Sequence, residues 1–190
     1  MTSPSEVLEF WFSDRARPLW FEKDPAFDAE IRRRFGPVHD AAVAGRLADW
    51  EDAVDPCLAL VLVLDQFSRN IFRGQARAFS GDARARAVAD RAIARGFDIA
   101  LPFDRRRFFY LPFEHSESLA DQHRAVALFR ALLDAATDAW REEAQVQLDY
   151  AEQHLVIVER FGRFPHRNQA LGRQTTAEEA AFLAGPNSSF

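Results

Sequence analysis

Asp55-Pro56-Cys57-Leu58-Ala59-Leu60-Val61-Leu62-Val63-Leu64-Asp65-Gln66-Phe67-Ser68-Arg69-Asn70-Ile71-Phe72-Arg73 is the most apolar stretch of the chain and runs straight into a dense polar cluster. An acid followed by proline opens it. The carboxylate can accept orphan amide hydrogens at a helix start, and proline fits the first turn because its missing N–H has no partner there. The pattern predicts a helix from Pro56 to about Phe72. Asp24-Pro25 repeats the signal, and Ser3-Pro4-Ser5-Glu6 reads as a capping box opening a helix through Phe12.

Outward from these starts, helical signals recur with little strand alternation between them. A helix is expected from Pro25 to about Ala44, with a kink or break at Gly36-Pro37. Asp82 to Arg95 follows, stopped by Gly96. Asp104 to Leu111 is predicted helical, with Pro112 kinking or ending it and delivering His115 to a bend. Two long helices are expected near Leu119–Ala136 and Asp138–Phe161, then a short one from Ala177 capped by Thr175 or Thr176 with Glu178 or Glu179 reaching back. Val126, Leu128, Phe129, Leu132 and Leu133, then Val146, Tyr150, Leu155, Val156 and Val158, fit buried helix faces. The expected fold class is all-α, in one helical domain spanning residues 1–190, built as a bundle or as stacked antiparallel hairpins. No residue pattern repeats near a period of 34.

Composition narrows the class. Of 190 residues, 48% are hydrophobic, with 18 Phe and 4 Trp, which supplies a sizeable core and argues against disorder. A formal charge of −5 argues against nucleic-acid partners held by phosphate neutralisation. Cys57 is the single cysteine and sits in an apolar run, so it is expected to be a buried, inert thiol. No apolar run reaches the length of a membrane span, and the start lacks a basic leader, so a cytoplasmic protein without membrane association is expected. Lys23 is the only lysine among 24 basic residues, a bias best read as codon composition.

Three polar segments could carry chemistry. In the first, Asp65 and Arg69, Gln66 and Asn70, and Arg69 and Arg73 are each four apart and share a helix surface, where Asp65 can orient Arg69. In the second, Glu114-His115-Ser116-Glu117 follows Pro112. His115 is a candidate general acid/base oriented by Glu117 or Glu114, against a reading in which it bonds freed carbonyls. Ser116 lacks the glycine-flanked elbow of a nucleophile. The third, Glu159 to Arg173, carries Arg160, Arg163, His166, Arg167, Asn168 and Arg173 against one acid. Such a local reversal of charge can attract an anion. His115, His154 and His166 lack the spacing of a metal site, so no metal is expected, nor any cofactor. His39 and His123 are expected to face solvent, and Phe10-Trp11-Phe12 with Trp20-Phe21 to be core.

With these blocks in place, the chain resembles the bacterial family called domain of unknown function 924. The likeness rests on Val7-Leu8-Glu9-Phe10-Trp11-Phe12, Trp20-Phe21, Asp65 to Gly74, Leu111-Pro112 with His115-Ser116-Glu117, Phe161 to Gly172-Arg173, and the ending Phe182-Leu183 with Ser188-Ser189-Phe190. The resemblance implies a tetratricopeptide-like right-handed superhelix and brings no established activity. It implicates Asp65, Gln66, Arg69, Asn70, Arg73, His115, Glu117, His166, Arg167, Asn168 and Arg173. Pro37 departs from the family pattern inside the second helix. The leading expectation is a binding module for a small or peptide-like anionic ligand in a polar pocket. The rivals are an enzyme using His115 with arginine stabilisation, and an interaction protein, with a protein partner, whose polar motifs are internal fasteners.

Overall fold

The computed structural model describes residues 2–186 and 188, so Ser189 and Phe190 of the C-terminal motif lie outside the described residues. The fold is all-α, and no strand occurs among the described residues. The helices are α1 (Pro4–Trp11), α2 (Pro25–Val43), α3 (Val54–Leu62), α4 (Ser68–Ile71), α5 (Asp82–Ala94), α6 (Phe97–Ala100), α7 (Phe103–Glu114), α8 (Leu119–Asp134), α9 (Arg141–Phe161) and α10 (Ala177–Leu183). None is long and apolar enough to cross a membrane. Two compact units divide the chain: residues 1–73 with 77–112, and residues 74–76 with 113–190.

The first unit is built on aromatic packing. Phe10 stacks on Phe27 and meets Phe35 and Phe67, while Trp11 contacts Trp20, Phe67 and Phe108. Each such ring buries a large apolar area and adds a directional contact. The core expectation for Phe10, Trp11 and Trp20 holds, whereas Phe21 is exposed. Ser3 and Glu6 form the anticipated capping box. Cys57 is buried, and burial pushes its thiol up to about 12.

At two prolines the helix continues where a break was one of the expectations, and at a third the helix start shifts. α2 runs unbroken through Gly36-Pro37. Proline crowds the Cβ of the residue before it when that residue is helical, and glycine has no Cβ to crowd. The buried face Phe27, Ile31, Phe35, Val38 and Ala42 continues across the proline and holds the helix together. α7 likewise passes through Pro112 and ends at Glu114, held by buried Phe108, Phe109, Leu111 and Phe113. α3 begins at Val54, so Asp55 lies inside the first turn instead of capping it.

A further departure lies in the opening stretch. Between α3 and α4, Val63–Phe67 forms a π-helical turn, one residue wider than α and often found at functional positions. The wider turn disturbs the carbonyl ladder, and side chains restore it. Ser68 Oγ donates to the Leu64 carbonyl at 2.7 Å, and Arg69 Nη1 to the Asp65 carbonyl at 2.8 Å. Gly81, just before α5, packs against the same carbonyl; a Cβ there would stand 2.2 Å from Leu64 O. His39 is buried, not solvent-facing, because its Nε2 lies 2.7 Å from Ser68 Oγ. Ser68 spends its one proton on Leu64, so it accepts from His39. His123 is exposed as expected.

In the second unit, α8 and α9 pack along their length as a helical hairpin, with Ala125, Phe129 and Leu132 facing Ala144, Leu148 and Ala151. Val146, Tyr150 and Val156, expected inside, are exposed, because the buried stripe of α9 follows Ala144, Leu148, Ala151 and His154. Ile157, Val158 and Phe164 form a smaller core with Phe161 and Phe182. Thr176 caps α10 with Glu179 in a second capping box.

Two substitutions test these readings by urea denaturation. Gly81→Ala is expected to destabilise by about 1–3 kcal/mol, as overpacking against backbone does. Pro37→Ala is expected to stabilise by about 1–3 kcal/mol, since it restores an N–H for the Arg33 carbonyl and relieves the ring clash. Unchanged stability in both would contradict the packing described for Gly81 and Pro37.

Candidate functional site

The first polar segment is a joint between helices. Arg69 Nη1 lies 3.0 Å from Asp65 Oδ1 and 3.1 Å from Asp82 Oδ1, tying the π-helical turn to the first residue of α5. Gln66 Nε2 donates to Asp65 Oδ2 at 2.6 Å. Asp28 of α2 accepts from Asn70 Nδ2 at 2.8 Å and from Arg73 Nε at 2.6 Å, and this pairing raises the Arg73 pKa against opposing burial. Asp65, Gln66, Asn70, Asp28 and Asp82 are all buried. The anticipated Asp65–Arg69 pair exists, but Asp82, which meets Arg69, and Asp28, which meets Asn70 and Arg73, carry no sequence signal.

The second segment is a clamped turn. His115 follows the last residue of α7, and Gln122, fully buried in α8, donates from one amide nitrogen to both flanking carbonyls, Glu114 O and Ser116 O, each at 2.6 Å. Ser116 Oγ donates to Asp121 Oδ2 at 2.7 Å and accepts from Ser118 N–H. The turn presenting His115 is thereby fixed from three directions. Gln122 could have been suspected only as a polar residue on an otherwise apolar helix face.

The third segment holds two further carboxylate hubs. Glu117 accepts from Arg173 Nη1 at 2.7 Å, Arg173 Nη2 at 3.0 Å and the Phe164 N–H at 2.8 Å. Burial pushes its carboxyl up, but these donors outweigh that and hold it below the usual carboxylate range. Glu179 accepts from Arg163 Nε at 2.6 Å, Asn168 Nδ2 at 3.2 Å and Thr176 N–H at 2.7 Å, and is driven down to about 2, chiefly by Arg163. Glu117 thus serves Arg173 and the Phe164 backbone.

Around Phe164, cationic and imidazole groups gather. The Arg167 guanidinium carbon sits 4.5 Å from the ring centroid, and the His154 and His166 rings lie 5.4 Å and 5.6 Å from it. His115 lies 6.3 Å from His154. His154 Nδ1 is 2.8 Å from the Tyr150 carbonyl, which can only accept, so the ring proton sits on Nδ1. Burial pushes His154 down to about 3, and the positive potential of His115, Arg167 and His166 adds to it. The 3.3 Å approach to Glu114 is therefore a polar contact of a neutral ring, not an ion pair. Among the described residues no group of three or more His, Cys, Asp or Glu could hold a metal ion. His115, His166 and Arg167 thus meet in the second unit; Asp65, Gln66, Arg69, Asn70 and Arg73 belong to the first.

Proton linkage gives a test. His154 carries its stabilising neutral form above the unfolded pKa of about 6.5, and that stability is lost as pH falls below it toward the folded value of about 3. At pH 5 the loss is about 2 kcal/mol relative to pH 7.5. His39, lowered by burial, acts in the same direction. Urea unfolding of His154→Gln at both pH values should show a smaller drop than the parent; an identical drop would contradict the assignment.

Residues 7–187 match the family model described as bacterial protein of unknown function, DUF924. The chain is also similar to a protein of unknown function, ATU0120, from Agrobacterium tumefaciens, of solved structure: 45% identity, 95% of this chain and 96% of that chain covered, TM-score 0.84. The search of curated proteins found no match. By the extent of that family match, the chain belongs to the DUF924 family.

Proposed function

We propose that the chain is a helical binding module whose recognition site is the cluster around Phe164, taking a small or peptide-like ligand through a carboxylate or phosphate group. The observation that carries this reading is the convergence of His154, His166 and Arg167, from α9 and from the turn at Pro165–Arg167, on one phenyl ring, with His115, from the turn after α7, beside His154. A planar guanidinium stacked on an aromatic ring is held in one orientation, and imidazole N–H groups beside it add directional donors for an oxyanion. His115 and His166 are only half-buried, so the cluster reaches solvent. The α8–α9 hairpin is the kind of unit that tetratricopeptide-like folds stack, which supports that part of the reading.

Two clefts flank α1 in the first unit, and none of the residues of the three polar segments lines either. Cleft volume and motif chemistry point to different places. For anion recognition the chemistry weighs more, because an oxyanion is held by a few aimed donors and needs little hollow space.

A second reading is favoured for the remaining motif residues. Arg69, Arg73, Arg163 and Arg173 each lie against a carboxylate, so Asp65, Gln66, Asn70, Asn168 and these arginines act as internal fasteners.

The two readings separate by titration. The imidazole resonances of His115 and His166 are followed by NMR while inorganic phosphate or acetate is added. Saturable shifts are expected, weakened about tenfold in His166→Ala, the size of one lost charged hydrogen bond. Non-saturating shifts, equal in both proteins, would leave only the fastener reading.

A further inference from the structure

One of the two clefts beside α1 in the first unit has a volume of about 330 Å³, at the small end of the range for ligand sites. Phe10, Phe27 and Ala16, all buried, supply its apolar floor. Two acids line it. Glu6 and Glu9 are three apart on α1 and so share a face. Glu6 is fixed by Ser3, whose N–H and Oγ donate to it at 2.7 Å and 3.0 Å. Glu9 is exposed, and among the described residues it has no hydrogen-bond or ion-pair partner.

Two arginines line the cleft as well. The Arg34 guanidinium carbon lies 4.6 Å from the Phe10 ring centroid and 5.0 Å from that of Phe35, and its charge acts on Glu6. Arg15 and Arg34 both bind the Glu30 carboxylate, one acid shared between two guanidiniums. Ser13 sits at the rim, its hydroxyl donated to the Phe10 carbonyl at 2.8 Å.

A hollow lined by two acids, two arginines and an apolar floor offers partners for both charges of one molecule. A simple anion meets Glu6 and Glu9, and a simple cation meets Arg15 and Arg34; a molecule with both charges finds a partner for each and covers the floor. We propose that this cleft binds a short zwitterionic peptide of two or three residues, its ammonium end toward Glu9 and its carboxylate end toward Arg34. Arg34 presents the fixed guanidinium and Glu9 the available carboxylate.

The test uses glycyl-phenylalanine, its N-acetyl form and its C-terminal amide, titrated calorimetrically into the full chain, with backbone amide shifts followed at Ser13, Ala16 and Arg34. Saturable binding of the free dipeptide is expected. Capping either end, or Glu9→Gln or Arg34→Gln, should weaken it about tenfold or more, the size of one lost charged hydrogen bond. Circular dichroism confirms that each variant is folded, and saturable shifts at the Ser13, Ala16 and Arg34 amides, rather than at the His115 and His166 imidazoles, separate this cleft from the Phe164 cluster. Equal affinity for capped and free forms, or no saturable shift at these amides up to roughly 10 mM, weaker than any specific contact of this kind, overturns the proposal.

Discussion

A carboxylate removed from water must find fixed positive partners, and that constraint shapes both units of this protein. Asp28, Asp65, Asp82 and Glu179 are buried and Glu117 is partly so, and each meets arginine from a distant part of the chain or across a helix turn. Burial alone would raise the carboxyls of Glu117 and Glu179. The guanidinium forks reverse that at both. Such pairs add less net stability than their geometry suggests, but breaking one strands a buried charge at a cost of about 3–5 kcal/mol. They therefore specify which helices meet more than they add to the sum.

The π-helical turn follows from the same logic. Widening the helix at Val63–Phe67 places Asp65 where Arg69 can reach it and Asp82 together, while Ser68 and Arg69 satisfy the disturbed carbonyls. Gly81 lets α5 approach that backbone closely. A motif that looks like a recognition surface in one dimension becomes a packed corner in three. The Phe164 cluster differs in kind: imidazoles and a guanidinium gather around one aromatic ring, and part of it reaches solvent.

Local signals were legible where they depended on neighbours in sequence. The capping boxes at Ser3 and Thr176 and the Asp65–Arg69 spacing needed only three or four residues of context. Gly36-Pro37 misled because the two residues compensate each other within a helix whose buried face continues on both sides. His39 gave no sign of burial, since its partner Ser68 is 29 residues away. Asp28, Asp82 and Gln122 were silent for the same reason: their meaning lies in tertiary partners. In the third segment, the excess of arginine over acid was real in sequence, but Glu117 and Glu179 arrive from outside it and absorb Arg173 and Arg163. His166 and Arg167 lie instead against the Phe164 ring.

The central claim, that the arginines of the first motif hold helices together, is tested most directly by a double-mutant cycle on Asp82 and Arg69 measured by urea unfolding. Each single change to alanine should destabilise the fold, and the double variant should lose less than the sum of the two, with a coupling of about 1–3 kcal/mol. Additivity within about 0.5 kcal/mol would contradict the account, since it would mean that the Asp82–Arg69 contact contributes nothing as a pair.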